Sequence, residues 1–340
     1  MKSTPHLDPI QPKSTAAAVH LQTIGPEEAG QRLDNFLLRW AKGVPKSHVY
    51  RIIRSGEVRV NKRRAQPTTR LVEGDLVRLP PVRLAEPAQM AAINNAQTTS
   101  RAHGYSEKMP ILFEDDALLI VNKPPGLAVH GGSGIALGVI ESLRITRPEL
   151  KFLELVHRLD RDTSGVLLLA KKRSALVEMH RQIREGLTDK RYYLLAHGEI
   201  VQGAGVMQLK FPLHKYLLPN GERRVRVDST GLPSHTALRV CQVMQQGDES
   251  ITLAEAQLKT GRTHQIRVHL QKLGHAILGD DKYGFEDRDK RVKSQRLYLH
   301  AHLAGFIHPR TGEKMRIESP MPKEFLAMMQ RFDSNTKKAE

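Results

Sequence analysis

The chain has 340 residues, 39% of them hydrophobic, and its longest apolar runs are strand-sized; that leaves room for more than one domain but excludes a helical membrane span. Lys and Arg outnumber Asp and Glu 53 to 36, a formal net charge of +17, so a polyanionic partner is expected, nucleic acid ahead of an acidic membrane surface, since no basic amphipathic helix with an aromatic apolar face stands out. The one cysteine, Cys241, excludes an internal disulfide framework and a cysteine-based zinc site and fits a reducing cytoplasm.

Residues 1–18 are rich in Pro, Ser and Ala, have no apolar stretch of the kind a secretory signal carries, and read as a flexible tail; residues 331–340 read the same way. Residues 19–82 form a patterned stretch. Leu33, Phe36 and Leu37 fall at helical spacing, with Arg32 and Asp34 outside the stripe. A second helix is predicted from Ser47 as N-cap, with Val49, Ile52 and Ile53 on its apolar face and Gly56 ending it. Val58 and Val60 alternate with polar residues as in a short strand, and Leu76, Val77 and Leu79 suggest another after the turn Glu73-Gly74-Asp75. Lys46, Arg51, Arg54, Arg59, Lys62, Arg63, Arg64 and Arg70 crowd this stretch with Glu57 as the only acid among them. A solvated face mixes its signs, so a one-signed cluster suits a phosphate track.

Residues 83–108 carry Pro87, several alanines and the polar run Asn94 to Ser100. With little apolar periodicity, they are expected to be a tether that holds two domains at high local concentration.

Further on, Ile111-Leu112-Phe113 and Leu118-Leu119-Ile120-Val121 flank an acidic turn, as in a hairpin. Asn122-Lys123-Pro124-Pro125-Gly126 and His130-Gly131-Gly132-Ser133-Gly134 are glycine-containing turns without Walker spacing or a dinucleotide fingerprint, so no nucleotide cofactor is expected; Lys123 reads as an RNA contact or an exposed lysine. The apolar runs Phe152 to Val156 and Val166 to Ala170 have the length of buried strands. Between them stands His157-Arg158-Leu159-Asp160-Arg161-Asp162-Thr163-Ser164-Gly165, in which only Leu159 is strongly apolar. Such groups are costly to bury unless paired, and a loop set between rigid strands is a common place for catalysis; a solvated connector is the plain alternative. Asp160, Asp162 and Ser164 echo a calcium loop, but Lys171 stands where that loop needs a bidentate Glu and a strand follows instead of a helix. No metal is expected.

Ser174 to about Glu185 reads as a basic helix and Lys190 to Ala196 as a strand, on which Tyr192 and Tyr193 face opposite sides and Lys190 shares a side with Tyr192. Leu253 to Leu258 alternates like a strand. Thr263 is expected to cap a helix with Ile266, Leu270 and Leu273 on its apolar face and Gly274 at its end. Arg262, His264 and Arg267 lie off that stripe, where a basic helix start suits an anion but an ordinary amphipathic helix explains them equally. His264 and His269 lack the pattern of a zinc helix.

Two resemblances organise these pieces. Arg32 to Leu37, Ser47 to Gly56, Glu57 to Asn61 and Glu73-Gly74-Asp75 resemble an S4 domain, a small α/β module that binds structured RNA. The central loop, Lys190-Arg191-Tyr192 and Thr260-Gly261-Arg262-Thr263-His264-Gln265-Ile266-Arg267-Val268-His269, with Asn122-Lys123-Pro124, Gly279-Asp280, Tyr283-Gly284 and Leu299-His300-Ala301, resemble a pseudouridine synthase of the large-ribosomal-RNA type. His130 to Gly138 and Glu154-Leu155-Val156 resemble the branch that isomerises several uridines of 23S rRNA. Leu232 and Ala276 depart from the family's Lys and Pro. Together these imply an α+β protein: an S4 domain (19–82) tethered to a catalytic domain (109–330) with a mixed, largely antiparallel sheet flanked by helices. They imply a monomer acting on structured ribosomal RNA, with no membrane association.

The reaction exchanges an N1–C1′ bond for a C5–C1′ bond, without redox change or cofactor, and calls for a nucleophile that can also leave. The resemblance assigns that role to Asp160. It assigns to Arg267 the guanidinium that keeps Asp160 ionised, and to Tyr192 a ring that stacks on the extruded uracil and a hydroxyl that helps C5 lose its proton. The target uridine has to leave its stack, and Arg158 is expected to brace the gap. His157, Lys190, Arg262 and His264 are expected near the RNA, and Lys46, Arg51, Arg54, Lys62, Arg63 and Arg64 on the S4 surface. The alternatives are a transfer-RNA substrate, a non-catalytic RNA-binding protein of ribosome assembly, and a carboxylate-dependent hydrolase, which would use paired acids and release free base.

Overall fold

The computed structural model describes residues 19–26, 28–41, 44, 46–81, 96–131, 137–201, 203 and 205–333. The expected tails at 1–18 and 334–340, tether residues 83–95 and loop residues Gly132 to Gly134 lie outside them. Two compact units divide the chain, one ending at Asn95 and one starting at Ala96.

The first unit runs β1 (His20–Thr23), α1 (Leu33–Trp40), α2 (Lys46–Arg54), β2 (Arg59–Val60), β3 (Arg63–Arg64) and β4 (Leu76–Leu79). Its sheet is antiparallel in the order β1-β4-β2-β3. Leu33, Phe36 and Leu37 pack with Val49, Ile52, Ile53, Val58, Val77 and Leu79 in one core, as the periodicity predicts. Two expectations change. Asp34 is buried rather than outside the stripe: it pairs with Arg32 at 2.6 Å and accepts from the Tyr50 hydroxyl at 3.1 Å, which compensates its loss of water. Helix α2 begins at Lys46, so Ser47 is inside it. Between β2 and β3, Asn61 and Lys62 both have positive φ, 50° and 67°, the conformation of a two-residue hairpin turn. The Asn61 side chain fixes it, donating to Asp75 at 2.7 Å and accepting from the Leu76 N–H at 2.8 Å.

The second unit opens with α3 (Ala96–Glu107), inside the stretch read as a tether. Ala102 is fully buried, and Ser106 accepts a hydrogen bond from Thr146 at 3.2 Å on α4 (Val139–Thr146), so the tether is at most the segment before Ala96. Strands β5 (Ile111–Glu114) and β6 (Leu118–Lys123) form the expected hairpin. Then come β7 (Glu154–Leu155), β8 (Ser164–Ala170), α5 (Arg173–Arg184), β9 (Asp189–His197), β10 (Met207–Leu209), β11 (Leu213–Leu217), β12 (Arg223–Val227), β13 (Thr236–Gln246), β14 (Glu249–Leu258), α6 (Gln265–Lys272), α7 (Glu286–Val292), β15 (Leu299–Ile307), β16 (Lys314–Glu318) and α8 (Lys323–Asp333). Helix α8 extends into the stretch read as a tail, with Phe332 buried. The run Phe152 to Val156 supplies a strand of only two residues, although Phe152, Leu153 and Val156 are buried.

The main sheet has the order β10-β13-β14-β9-β15-β8-β6-β5, with β7 added on β8 and β16 on β15. Its pairs are antiparallel except β8 with β15, while β11 and β12 form a separate hairpin. Strand β8 is buried on both faces, which explains its continuous apolar run. Leu167 and Leu169 join the larger core with Tyr192, and Val166, Leu168 and Ala170 the smaller one under α5; each large side chain contributes about 1.5–3 kcal/mol by burial. Gly165 sits where β8 meets β15, at φ 109°, and a Cβ there would lie 2.2 Å from the Ala301 carbonyl oxygen. Only glycine lets the strands approach so closely.

Candidate active site

The loop entering β8 is held from both ends. At its start, His157 accepts the Leu168 N–H through Nε2 at 3.2 Å, which ties it to the strand that follows it. Burial, with Lys190 nearby, pushes this imidazole down to about 4, so it is neutral and able to accept. Inside the loop, Leu159 anchors in the larger core and the Thr163 N–H closes a turn onto the Asp160 carbonyl at 3.2 Å. At its end, Ser164 accepts from Arg296 at 2.7 Å and lies 2.9 Å from His300 Nδ1. Lys123 is neither exposed nor placed to touch RNA. It is fully buried, and its ammonium donates to the carbonyls of Pro124, Leu127 and Arg161 at 2.7–2.8 Å. Burial lowers its pKa to about 7, with Asp162 and Asp160 acting in the opposite direction. Arg161 pairs with Asp162 at 3.1 Å. Asp160 is therefore presented on a pinned backbone, with its carboxylate 30% exposed.

Arg267 comes to it from α6. The guanidinium is 3% exposed, and its Nη1 lies 3.4 Å from Asp160 Oδ2. Its nearer partner is Asp280, which accepts from Nε at 2.7 Å and from Nη2 at 2.5 Å; Asp281 accepts at 3.0 Å. Burial opposes the charge of Arg267, and Asp280, Asp160 and Asp281 more than offset it, so its pKa is raised. The Asp280 loop is itself fixed, since the Gly279 N–H donates to Asp289 at 2.6 Å. Sequence reasoning placed Arg267 off the helix's buried stripe and gave Asp280 no role. The side chain is buried because three carboxylates meet it, and that pairing is tertiary.

Tyr192 is 7% exposed in the larger core, and burial together with the Asp160 charge raises its pKa, which keeps the hydroxyl protonated. Tyr193 faces the other way, as β-alternation requires, and stacks on His302 at 3.8 Å. Lys190 lines a cavity of about 290 Å³ with Asp189, Gln257, Thr260 and Gly261, and burial lowers its pKa. Arg158 is exposed; Arg262 is exposed and donates to the Pro233 carbonyl at 3.1 Å. His264 replaces Thr263 as the residue before α6 and adopts a left-handed conformation, φ 53°. Its Nε2 lies 3.9 Å from Asp160 Oδ2 and its Nδ1 2.7 Å from the Tyr283 hydroxyl. Tyr283, Asp280 and Lys123 are neighbours of the candidate site whose contacts sequence reasoning did not give. Their positions were visible in the motifs, but their partners were not.

In the first unit, Arg51, Arg54, Lys62, Arg63 and Arg64 are all exposed. Arg59 and Arg70 are tied to backbone carbonyls, Gly56 and Lys62 for the former and Gly30 for the latter. Lys46 opens α2, and its side chain lies outside the described part.

Comparison with known proteins agrees with both halves. Residues 117–272 match the family model of RNA pseudouridylate synthase, and residues 31–77 match that of the S4 domain. The chain is 50% identical over 312 residues to ribosomal large subunit pseudouridine synthase C of Yersinia pestis, covering 91% of this chain and 94% of that one. To the protein of the same name from Escherichia coli strain K12 it is 48% identical over 325 residues, 94% and 98% of the two chains. Among solved structures, human RNA pseudouridylate synthase domain containing 4 superimposes with a TM-score of 0.54 at 26% identity, over 69% of this chain and 97% of that one.

Proposed function

The chain belongs to the RNA pseudouridylate synthase family, and from that premise we propose that it isomerises specific uridines of the large-subunit (23S) ribosomal RNA, as a cytoplasmic monomer that needs no cofactor. The supporting observation is the meeting of Asp160 and Arg267 at 3.4 Å, from two separate stretches, in a chain half identical to large-subunit enzymes over nine-tenths of its length. In this reading Asp160 is the nucleophile. Arg267 sits beside it at 3.4 Å, and the carboxylate both attacks and leaves. The N1–C1′ bond breaks, the uracil turns and C5 bonds to C1′; the proton leaves C5 and one returns to N1. Tyr192 carries the base on its ring, and its protonated hydroxyl takes part in the C5 proton transfer by exchanging its own proton. Arg158 braces the gap in the stack, while Lys190, Arg262 and His264 lie along the RNA path. His157 acts behind the loop through Leu168.

The test is pseudouridine mapping of total RNA from cells with and without the gene, complemented by wild type or Asp160→Ala. Specific 23S positions are expected to lose pseudouridine and to regain it with wild type alone. Loss confined to a transfer RNA would overturn the substrate assignment, and full restoration by Asp160→Ala would favour a non-catalytic binding protein.

A further inference from the structure

A hydrogen-bonded line from Val225 through Tyr283 to His264 points at Asp160. The Tyr283 hydroxyl accepts from the Val225 N–H of β12 at 3.0 Å and lies 2.7 Å from His264 Nδ1. A phenol has one proton to give. With Val225 as the donor to its oxygen, giving that proton to His264 Nδ1 satisfies both groups, and in that arrangement the ring nitrogen that carries hydrogen is Nε2. Nε2 faces Asp160 Oδ2 at 3.9 Å, the same oxygen that Arg267 Nη1 approaches at 3.4 Å. Tyr283 is itself fixed: it is buried, packs with Leu213, Val225 and Val268, and its ring lies 5.2 Å from the Arg267 guanidinium and 5.7 Å from that of Arg224. His264 adopts a left-handed backbone that non-glycine residues rarely take, a feature that collects at functional sites.

We propose that His264 is a positioning residue for Asp160: a neutral imidazole, locked as the Nε2–H tautomer by Tyr283, which with Arg267 holds Oδ2 and so leaves Oδ1 free for the target nucleotide. Asp160 Oδ1 has no hydrogen bond among the described residues, in keeping with a reacting atom. The charged and titratable groups around the ring are Asp160 from the central loop, Arg267 from α6, and Asp280, Lys282 and Tyr283 from the segment after α6. Burial is the largest influence and lowers the imidazole pKa; Arg267 and Lys282 act with it, and Asp160 and Asp280 against it. A proton on Nδ1 would break the bond from Tyr283, so the lock opens as pH falls. Loss of the Tyr283 hydroxyl removes a donor that favours the neutral ring, and the ring then protonates at higher pH. The inference rests on the functional reading above only for the uridine that Asp160 meets.

The experiment uses the full chain labelled with ¹⁵N-histidine. Long-range proton–nitrogen spectra report each tautomer, and His264 is assigned by its absence in His264→Gln. Wild type should show Nε2–H and Tyr283→Phe a mixture, with the ring titrating at higher pH. In single-turnover reactions at saturating rRNA fragment, His264→Ala and Tyr283→Phe should slow conversion by about 10-fold or more, as for a misplaced reacting group, a loss that excess RNA does not restore. His264→Gln, whose amide N–H reaches toward the same place, should retain more activity than His264→Ala. The acid limb of the Tyr283→Phe rate profile should move to higher pH. His264→Asn, suited to a left-handed backbone, is the second variant against misfolding. An Nδ1–H tautomer in wild type, or wild-type rates in both Tyr283→Phe and His264→Asn, would overturn the proposal. The spectra need no RNA, so a wild-type protein that makes no pseudouridine in rRNA defeats the functional reading while the tautomer is still decided.

Discussion

Arg267 shares three carboxylates, and their exposures separate what each contributes. Asp280 is fully buried with the guanidinium, Asp160 is partly open, and Asp281 is more than half exposed. A buried charge left without its partner is costly, so Asp280→Ala should destabilise the fold by about 3–5 kcal/mol. It should also abolish turnover, because Arg267 would be free to leave Asp160. Asp281→Ala should cost about 0–1 kcal/mol, as an exposed pair does. Denaturant melts of the two variants check this, and equal losses would refute the ranking. A second consequence is pH dependence. Burial depresses His157 and His300 to about 4, below the ordinary histidine value. Between about pH 6.5 and 4 the unfolded chain therefore takes up protons that the folded chain does not, and stability is lost as pH falls through that window. Each ring contributes a slope of about 1.4 kcal/mol per pH unit. Melts at pH 7, 6 and 5 should show it, and His300→Gln should flatten it. Asp160 and Arg267 were readable as candidates because they stand in long motifs, and Tyr192 because it stands in the shorter Lys190-Arg191-Tyr192. Asp280 was not assigned, since nothing in a one-dimensional pattern says that a carboxylate thirteen residues on faces Arg267. Lys123 was misread for the converse reason: a lysine is normally exposed, and only the fold shows three carbonyls converging on it.

At the level of elements, the site depends on the parallel junction of β8 with β15, the one such pair among the described residues of a largely antiparallel sheet. Strand β8 leaves the central loop at Ser164 and meets β15 at His300 and Ala301, while β15 also carries β9 with Tyr192 opposite Ala301. One strand thus sets Asp160 and Tyr192 relative to each other. Gly165 is the contact point, and Gly165→Ala would place a methyl 2.2 Å from the Ala301 carbonyl in a left-handed backbone. The strands have to part, so a loss of at least about 3 kcal/mol is expected from overpacking and strain together, with turnover falling more than RNA affinity. Thermal melts beside single-turnover rates check it; an unchanged Tm would mean that the junction yields. The sequence showed β8 as a continuous apolar run and β5–β6 as a hairpin. It did not show α3, because a helix that buries Ala102 and leans on Tyr105 leaves no apolar stripe to read. Nor did it show that Phe152 to Val156 is buried mainly outside regular strand.

For the whole molecule, charge and architecture belong together. A net charge of +17 is larger than a catalytic site needs, and in the S4 domain the exposed cations Lys62, Arg63 and Arg64 sit on the turn and second strand of one tight hairpin. Lys62 holds a left-handed φ of 67°, where Asn or Gly is the usual choice, and this is consistent with a cation placed for a contact. A phosphate contact contributes to affinity mainly through counterion release, about 0.7–0.9 in the slope of log K against log salt. Replacing Lys62, Arg63 and Arg64 by Ala should therefore lower that slope by up to about 2 to 3 and weaken rRNA binding most at low salt. The three residues lie in a unit separate from Asp160, so the single-turnover rate at saturating RNA should stay unchanged. Binding isotherms from low to moderate salt, paired with that rate, divide the outcomes. A reduced slope with an intact rate assigns the S4 domain to affinity. An intact slope would place the RNA track elsewhere on this basic chain, and a slope and rate that fall together would mean that the S4 domain also sets how the uridine enters the active site.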